Sequence, residues 1–339
     1  MVRSLLSGTS ATCTKSTTAG LRKDELHDSV VERMQMSEHN HEASEKPRLE
    51  KRRYISVVVP VYEQWDLVPT LIACLHKQTL SIDLFEIILV DNGSLKPNVP
   101  NRLPENVHVT SCAVPGSYAA RNHGAAMAKG DWLAFTDADC QPHEGWLFSI
   151  YQAGPASDLD RTLLAGSVVL FSPRERPNIW EKYDIVRGIP QERYVSRGYA
   201  ATANLALPKA LFDELGGFEA ARFSGGDAEL CRRARAIGCD LIYCGRARVN
   251  HPARATWQEI SIKARRIKGG QIRAGSLRRR VVWGLSTLAP PVRGVWRFLA
   301  SPTHPTHYKL AAVLVLMRVW LVEVVELLRL CAGTRAERR

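Results

Sequence analysis

The chain has 339 residues, 45% of them apolar and only 7% aromatic, enough for one large α/β domain or two small ones and too apolar to be disordered throughout. Its eight cysteines are scattered without a Cys-x-x-Cys pair, which argues against a disulfide framework or a zinc set and for reduced thiols in a cytosol. The net charge of +12 is confined to the C-terminal third, where 19 Lys and Arg face 4 Asp and Glu from Gly245 onward; such a block serves an anionic partner or a solvated basic face.

Residues 1–50 are rich in Ser, Thr, Glu and His without apolar periodicity, and MVRSLLSG has too brief an apolar run for a secretory signal. A disordered tail with a short helix near Lys23–Gln35 is expected. Tyr54–Tyr62 is a β-branched run closed by proline, a buried strand. Trp65–Gln78 carries Leu67, Leu71, Ala73, Cys74 and Leu75 at helical spacing. Phe85–Ser94 and Val107–Cys112 read as further strands. Ser117–Gly130 reads as a helix with a serine cap and a terminal glycine, and DWLAFTDAD as the fourth strand.

Beyond it, Leu163–Phe171 reads as a strand and Ile179–Val186 as a short helix. Arg187–Ala200 is a connection long enough to form a mobile lid. TANLALPKALFDELGGF offers a strand and then a helix opened by Pro208 and closed by Gly216 and Gly217; SGGDAELCRRARAIG starts another helix, and LIYC is a strand. Strands alternating with helices indicate βαβ units and a largely parallel sheet. With no repeat and no Gly/Ser linker, one catalytic domain over residues 52–275 is expected, followed by a basic helical region over 276–339.

Asp91, Asp137 and Asp139 all fall at strand ends, where α/β sheets bind their ligands. In extended backbone, residues two apart point to the same side, so Asp137 and Asp139 can face one cation. Oxygen ligands suit Mg2+ or Mn2+. A polar turn capping the strand is the plain alternative.

Four motifs in order, VVVPVYE, ILVDNGS, GSYAARNHGAAMAKGDWLAFTDADCQP and GGFEAARFSGGDAELCRRARAIG, resemble the inverting family 2 glycosyltransferases over residues 54–270. The resemblance implies a GT-A fold: a mixed, mostly parallel Rossmann-like sheet flanked by helices. It implies a nucleotide-diphosphate sugar donor with Pro60, Tyr62, Glu63 and Asp91 at the base, and Asp137 and Ala138 toward the ribose. Asp139 matches the member of the Asp-x-Asp motif that binds the metal bridging the diphosphate. Asp227 matches the base that takes the acceptor hydroxyl's proton, a role worth roughly 10²–10⁴-fold. The family's pair at this helix start is Glu-Asp, whereas this chain has Gly226-Asp227. Ser224 to Asp227 also fits a capping box, a purely structural reading. Arg121 and Asn122 match a stretch used near the nucleotide pocket, and otherwise read as a solvated arginine and a packing amide. His251, following the last strand, resembles a late histidine near the metal, and otherwise reads as structural. Arg254 with Lys263, Arg265, Arg266 and Lys268 is open to two readings, phosphate binding or the coat of a helix.

The final segment, HYKLAAVLVLMRVWLVEVVELLRL, is broken by Arg318, Glu323, Glu326 and Arg329; its longest uncharged run, Leu310–Met317, is too short to span a bilayer. The four charges fall on one arc of a helical wheel and leave a broad apolar face. That pattern fits an in-plane helix on an anionic membrane surface, or a helix docked on its own core or on a dimer partner. The expected protein is a cytoplasmic, metal-dependent glycosyltransferase, peripheral on the inner face of the membrane, acting on a glycan or lipid-linked acceptor. A nucleotidyltransferase and a non-catalytic scaffold are the alternatives. Nucleic acid is not expected, because the basic tail lacks interleaved aromatics.

Overall fold

Alternation along the first two strands decides which side of the sheet each residue serves. In β1 (Ile55–Val61), Ile55, Val57, Val59 and Val61 face one apolar cluster and Val58 the other; in β2 (Phe85–Asp91), Phe85, Ile87 and Leu89 join the first, Ile88 and Val90 the second. Both faces are covered, so these strands are mostly apolar, and the buried polar pair Ser56 and Glu86 is satisfied internally, Ser56 Oγ donating to Glu86 Oε1 at 2.6 Å. The computed structural model describes residues 53–153, 160–222, 224–273 and 276–334. The helix expected near Lys23–Gln35 lies outside them.

The remaining strands are β3 (Val107–Ser111), β4 (Trp132–Phe135), β5 (Gln141–Pro142), β6 (Thr162–Phe171), β7 (Leu205–Pro208) and β8 (Asp240–Pro252). Between them run α1 (Val68–His76), α2 (Ser117–Met127), α3 (Trp146–Tyr151), α4 (Ile179–Arg187), α5 (Gln191–Val195), α6 (Lys209–Glu214) and α7 (Gly226–Ala236), followed by α8 (Trp257–Arg273), α9 (Leu277–Leu288), α10 (Val292–Leu299) and α11 (Thr306–Cys331). The strands form one sheet in the order β3-β2-β1-β4-β7-β6-β8-β5. β1 pairs in parallel with β2 and β4, β2 with β3 and β6 with β8, whereas β7 runs antiparallel to β4 and β6, and β5 to β8. This is the mixed, mostly parallel sheet expected. Lys51–Arg339 forms one compact unit.

Several local expectations change. Gly116, at φ 119°, caps α2 and Ser117 is its first helical residue; the expected serine cap is therefore a glycine cap. Gly130 lies beyond the helix end, and a Cβ there would come within 2.6 Å of the Ser56 nitrogen and the Tyr54 oxygen. Its absence of side chain lets the chain pass against β1 and donate its amide to Ser56 Oγ at 2.8 Å. The expected lid, Arg187–Ala200, contains α5 and is tied down. Buried Gln191 donates to the Ala201 and Asn204 carbonyls at 3.0 Å and accepts from the Ala201 amide at 2.8 Å.

α11 packs on α4, α8 and α10, burying Ala312, Val315 and Val319 with Tyr183, Ile260 and Phe298. Its charged arc is split: Glu326 is buried and Glu323 half-buried, whereas Arg318 and Arg329 stay exposed. Arg318 lies over the Trp257 ring at 4.0 Å, Glu323 pairs with buried Lys268 at 3.1 Å, and Glu326 is 3% exposed. Leu310, Leu314, Met317, Leu321, Val325 and Leu328 point outward instead. Lys268 is thus drawn away from the other cations of α8. Among the described residues no helix is long and apolar enough to cross a membrane.

Asn204 joins the two halves of the sheet. It accepts from Trp146 Nε1 at 2.8 Å and donates to the Ser167 and Ala247 carbonyls at 2.9 and 2.8 Å. The β6–β8 register shifts between Gly166 and Ser167, and a Cβ on Gly166 would sit 2.2 Å from Asn204 Nδ2. Gly166→Ala is expected to cost about 2–3 kcal/mol, seen as a lower midpoint in denaturant unfolding. A midpoint equal to the wild type would show that this close approach is not required.

Candidate active site

The parallel pairing of β1, β2 and β4 brings their carboxyl ends to one edge of the sheet. Val61 lies beside Asp91, and Val58 beside Phe135. Pro60, the penultimate residue of β1, and Tyr62 and Glu63 just beyond it line this edge. Glu63 is left-handed at φ 52°, a conformation that needs support in a residue with a side chain. Its Oε1 accepts from the Leu95 amide at 2.7 Å, and its own amide donates to Ser94 Oγ at 3.0 Å. Asp91 accepts from Trp65 Nε1 at 2.8 Å and from the Gly93 and Ser94 amides at 3.1 and 3.2 Å. Burial opposes its charge, but Ser94, Trp65 and Gly93 outweigh it and hold the carboxyl below its ordinary range.

β4 stops at Phe135, so Asp137 and Asp139 do not project from one extended face as expected. They lie in a turn closed by the Cys140 amide on the Asp137 carbonyl at 3.1 Å. The turn still gathers Asp137, Asp139, Cys140 and His251, with ligand atoms all within 4.8 Å of one another. His251 belongs to β8 rather than following the last strand, because β6 pairs with β8 as far as Pro252. Its Nδ1 lies 2.7 Å from the Pro252 carbonyl oxygen; a carbonyl only accepts, so in the neutral ring Nδ1 carries the proton and Nε2 the lone pair. Nε2 faces Asp139 Oδ2 at 3.7 Å.

Asp139 Oδ1 is buried without a hydrogen-bond partner, and an orphaned carboxylate oxygen beside an imidazole lone pair fits a divalent cation. Burial raises the Asp139 pKa, His251 counters it and Asp137 adds to it. Burial, with Asp139 and Asp137 nearby, pushes the Cys140 thiol well up, leaving a neutral sulfur that suits hard cations poorly.

Tyr118 and Arg121 lie one turn apart on α2. Arg121, 3% exposed, pairs with Asp137 Oδ1 and also acts electrostatically on Asp227. Asp227, near the N-terminus of α7, accepts at Oδ1 from the Ala228 amide at 2.8 Å and from the Tyr118 hydroxyl at 3.4 Å. Burial raises its pKa against the pull of the Ala228 amide and Arg121. The capping box is absent: Gly225, at φ 74°, caps α7 with no side-chain hydrogen bond. A Cβ on Gly226 would sit 2.7–2.9 Å from the Tyr118 ring, so that ring occupies the room a glutamate would need.

Asn122 does not join this cluster. Its amide brackets Phe218, donating to the carbonyl at 2.7 Å and accepting from the amide at 2.8 Å. Sequence reasoning missed Tyr118 and Trp65 as site residues. The signal for Tyr118 was its place one turn before Arg121; for Trp65 there was none.

The Glycosyl transferase family 2 profile matches residues 56–224. Glycosyltransferase AglE of Haloferax volcanii is 29% identical over 262 residues, covering 75% of this chain and 83% of that protein. The pre-mycofactocin glycosyltransferase of Mycobacterium tuberculosis is 28% identical over 60% of this chain, which spans only 43% of that protein. Among solved structures, mannosyltransferase PcManGT from Pyrobaculum calidifontis, in complex with GDP-Man and Mn2+, superposes with a TM-score of 0.51 at 14% identity, covering 82% of this chain and 87% of that one. With the motif order, the sheet and these similarities in agreement, the chain belongs to glycosyltransferase family 2 and has the GT-A fold.

Proposed function

We propose that the chain moves a sugar, with inversion, from a nucleotide-diphosphate sugar to a hydroxyl of a glycan or lipid-linked acceptor, with a divalent ion. The observation that carries this reading is the placement of charge around Arg121. Asp139 and His251, with an orphaned oxygen and a free lone pair, lie on one side; Asp227, with raised proton affinity, lies on the other. PcManGT was solved with GDP-Man and Mn2+, which supports the same ligand chemistry here. Asp139 and His251 would hold Mn2+ or Mg2+, and the imidazole favours Mn2+ because Mg2+ keeps to oxygen and water. When bound, such an ion neutralises charge on the departing diphosphate.

Pro60, Tyr62, Glu63 and Asp91 flank the base, with Asp137 and Ala138 toward the ribose. Arg121 orients Asp137 from behind. Asp227 takes the acceptor proton as the hydroxyl attacks the anomeric carbon opposite the leaving group, and a single displacement of this kind inverts that centre.

Residues 276–334 give a second, separate part of the reading. α9, α10 and α11 expose a broad apolar surface that includes Val282, Leu285, Trp296 (72% exposed) and Leu314 (66% exposed). Arg278, Arg279, Arg280, Arg293 and Arg329 are exposed around it, while Glu323 and Glu326 are not. Two such faces would repel each other, so the occupant is an anionic bilayer surface, as on a cytoplasmic leaflet, and not a second copy.

Asp139→Asn is expected to abolish the rise in melting temperature produced by Mn2+ plus a nucleoside diphosphate; an undiminished rise would sink the metal assignment. Asp227→Asn is expected to keep donor binding and lower kcat by about 10²–10⁴-fold. Because the base acts deprotonated and burial raises its pKa, the wild-type rate should fall on acidification at a pH above the ordinary carboxylate value of about 4. An acid limb at or below that value, or normal turnover by Asp227→Asn, would remove Asp227 from the role. The full chain should co-sediment with phosphatidylglycerol vesicles but not with pure phosphatidylcholine, and Leu314→Asp should release it. A stable dimer in solution that loses its self-association in Leu314→Asp would assign the face to a second copy.

A further inference from the structure

The ring of Tyr118 on α2 is wedged between three neighbours. It is 8% exposed, its centroid lies 5.4 Å from that of Phe218, and the Arg121 guanidinium stands 5.8 Å from it. Phe218 is itself fixed: Asn122 brackets its backbone, and its ring packs edge-on against Phe135 and Phe212 at 5.2 and 5.4 Å. On the third side is Gly226, where a Cβ would come within 2.7 Å of the Tyr118 ring. A close-packed ring of this kind has no room to swing to another rotamer. Its hydroxyl is thereby aimed at Asp227 Oδ1, 3.4 Å away.

That oxygen also accepts from the Ala228 amide at 2.8 Å. Two donors on one oxygen restrain the rotation of the carboxylate about its Cβ–Cγ bond, a torsion that is broad when left to itself. The cap of α7 adds no such restraint, because Gly225 has no side chain. The other groups facing Asp227 are Arg121, which is shared with Asp137, the Thr202 amide, Tyr199 and Cys231. Burial first, and the Asp227 charge among the other causes, raise the Tyr199 phenol and the Cys231 thiol, so both are neutral. Burial, then the Asp227 charge, also push the Tyr118 phenol far above its ordinary range, while Arg121 pulls it down; Arg266 of α8 also faces that phenol. Tyr118 therefore stays protonated at any working pH and is always a donor to the carboxylate.

We propose that Tyr118 is a positioning residue for the base: its hydroxyl, donated to Asp227 Oδ1 across the space that Gly226 leaves open, holds the carboxylate in the orientation that takes the acceptor proton. This rests on the reading of Asp227 as the base. Two independent observations carry it: the hydroxyl reaches the carboxylate, and the ring can stand there only because residue 226 has no side chain. A ring that merely filled space would do so without its hydroxyl. The contact is long for an O–H donor on a carboxylate, as bonds to catalytic groups often are until the substrate is in place. No proton passes through Tyr118; it keeps its own, and the proton of the acceptor ends on Asp227.

Hydrolysis of GDP-mannose, UDP-glucose and UDP-N-acetylglucosamine by the full chain at saturating Mn2+, with water as the acceptor, tests this across pH. Tyr118→Phe keeps the ring and removes the hydroxyl. It should lower kcat by about ten- to a hundredfold and leave the donor KM within about twofold of wild type. It should also move the acid limb of the rate to higher pH, because a donated hydrogen bond favours the charged carboxylate and its loss raises the pKa. Gly226→Ala intrudes on the ring and should change kcat and the acid limb in the same directions. The double variant should be no worse than the poorer single one, since both remove one contact. Tyr118→Phe with the kcat and acid limb of the wild type overturns the proposal. A lower kcat with an unmoved acid limb assigns Tyr118 to packing and overturns it as well. Were Tyr118→Phe to unfold, Gly226→Ala decides alone by the same two readouts. Asp227→Asn at the wild-type rate overturns the base reading beneath the proposal, whereas an inactive Asp227→Asn beside an unaffected Tyr118→Phe overturns the proposal alone. A wild type that hydrolyses none of the donors overturns the transfer reading itself.

Discussion

A buried guanidinium shared between two carboxylates is the contact on which the site depends. Arg121 is almost wholly enclosed, pairs with Asp137 and acts on Asp227. Enclosed charge is stable only when its partners are held in place, and α2 holds them. The helix lies so close to the sheet that a Cβ on Gly124 would meet Val58 and Val90 at 2.5 and 2.9 Å. Arg121 therefore cannot retreat toward solvent. Of the two carboxylates it acts on, Asp137 lies beside the candidate metal ligands and Asp227 is the candidate base.

The same economy of charge operates in the C-terminal helices with its polarity reversed. α11 keeps Arg318 over Trp257 and Trp180, Glu323 against Lys268 and Glu326 buried, while Leu310, Leu314, Leu321 and Leu328 face outward. In water, exposing those leucines while burying a glutamate is unfavourable. Cation–π contact gives Arg318 a partner, and Lys268, itself hydrogen-bonded to Thr287 at 2.9 Å, gives Glu323 one, each worth several tenths to about 2 kcal/mol. The outward leucines have none. α4 supplies part of the surface that α11 covers and also carries Asp184, so the C-terminal helices rest on the helix whose carboxylate anchors Arg254.

Much of the fold was legible because its signals are local. β-branched runs marked β1, β2 and β6, and helical spacing with flanking Gly and Pro marked α1, α2 and α6. β8 was legible only in part: GRARVNHP has no strand pattern of its own, and its extension comes from pairing with β6 across an irregular register. Asp137 and Asp139 were found for a reason that proved incomplete, since a turn and not strand alternation brings them together. A helical wheel located the charged arc of α11 correctly but carries no information on which arc faces inward, because that depends on Trp180, Trp257 and Lys268 on other elements. Tyr118 carries no sequence signal of its contact with Asp227 for the same reason. Its partners are about a hundred residues away.

The ring of Tyr118 against Gly226 has a consequence for how such a site can change over time. A side chain at residue 226 and an aromatic ring at residue 118 compete for one volume, so the two positions are free to vary only together. A lineage carrying glutamate at the helix start would have to lose it before gaining the tyrosine, or shrink the tyrosine before regaining the glutamate. Each intermediate has an empty space beside Asp227. The pair Tyr118 and Gly226 thus acts as a ratchet on the space beside Asp227.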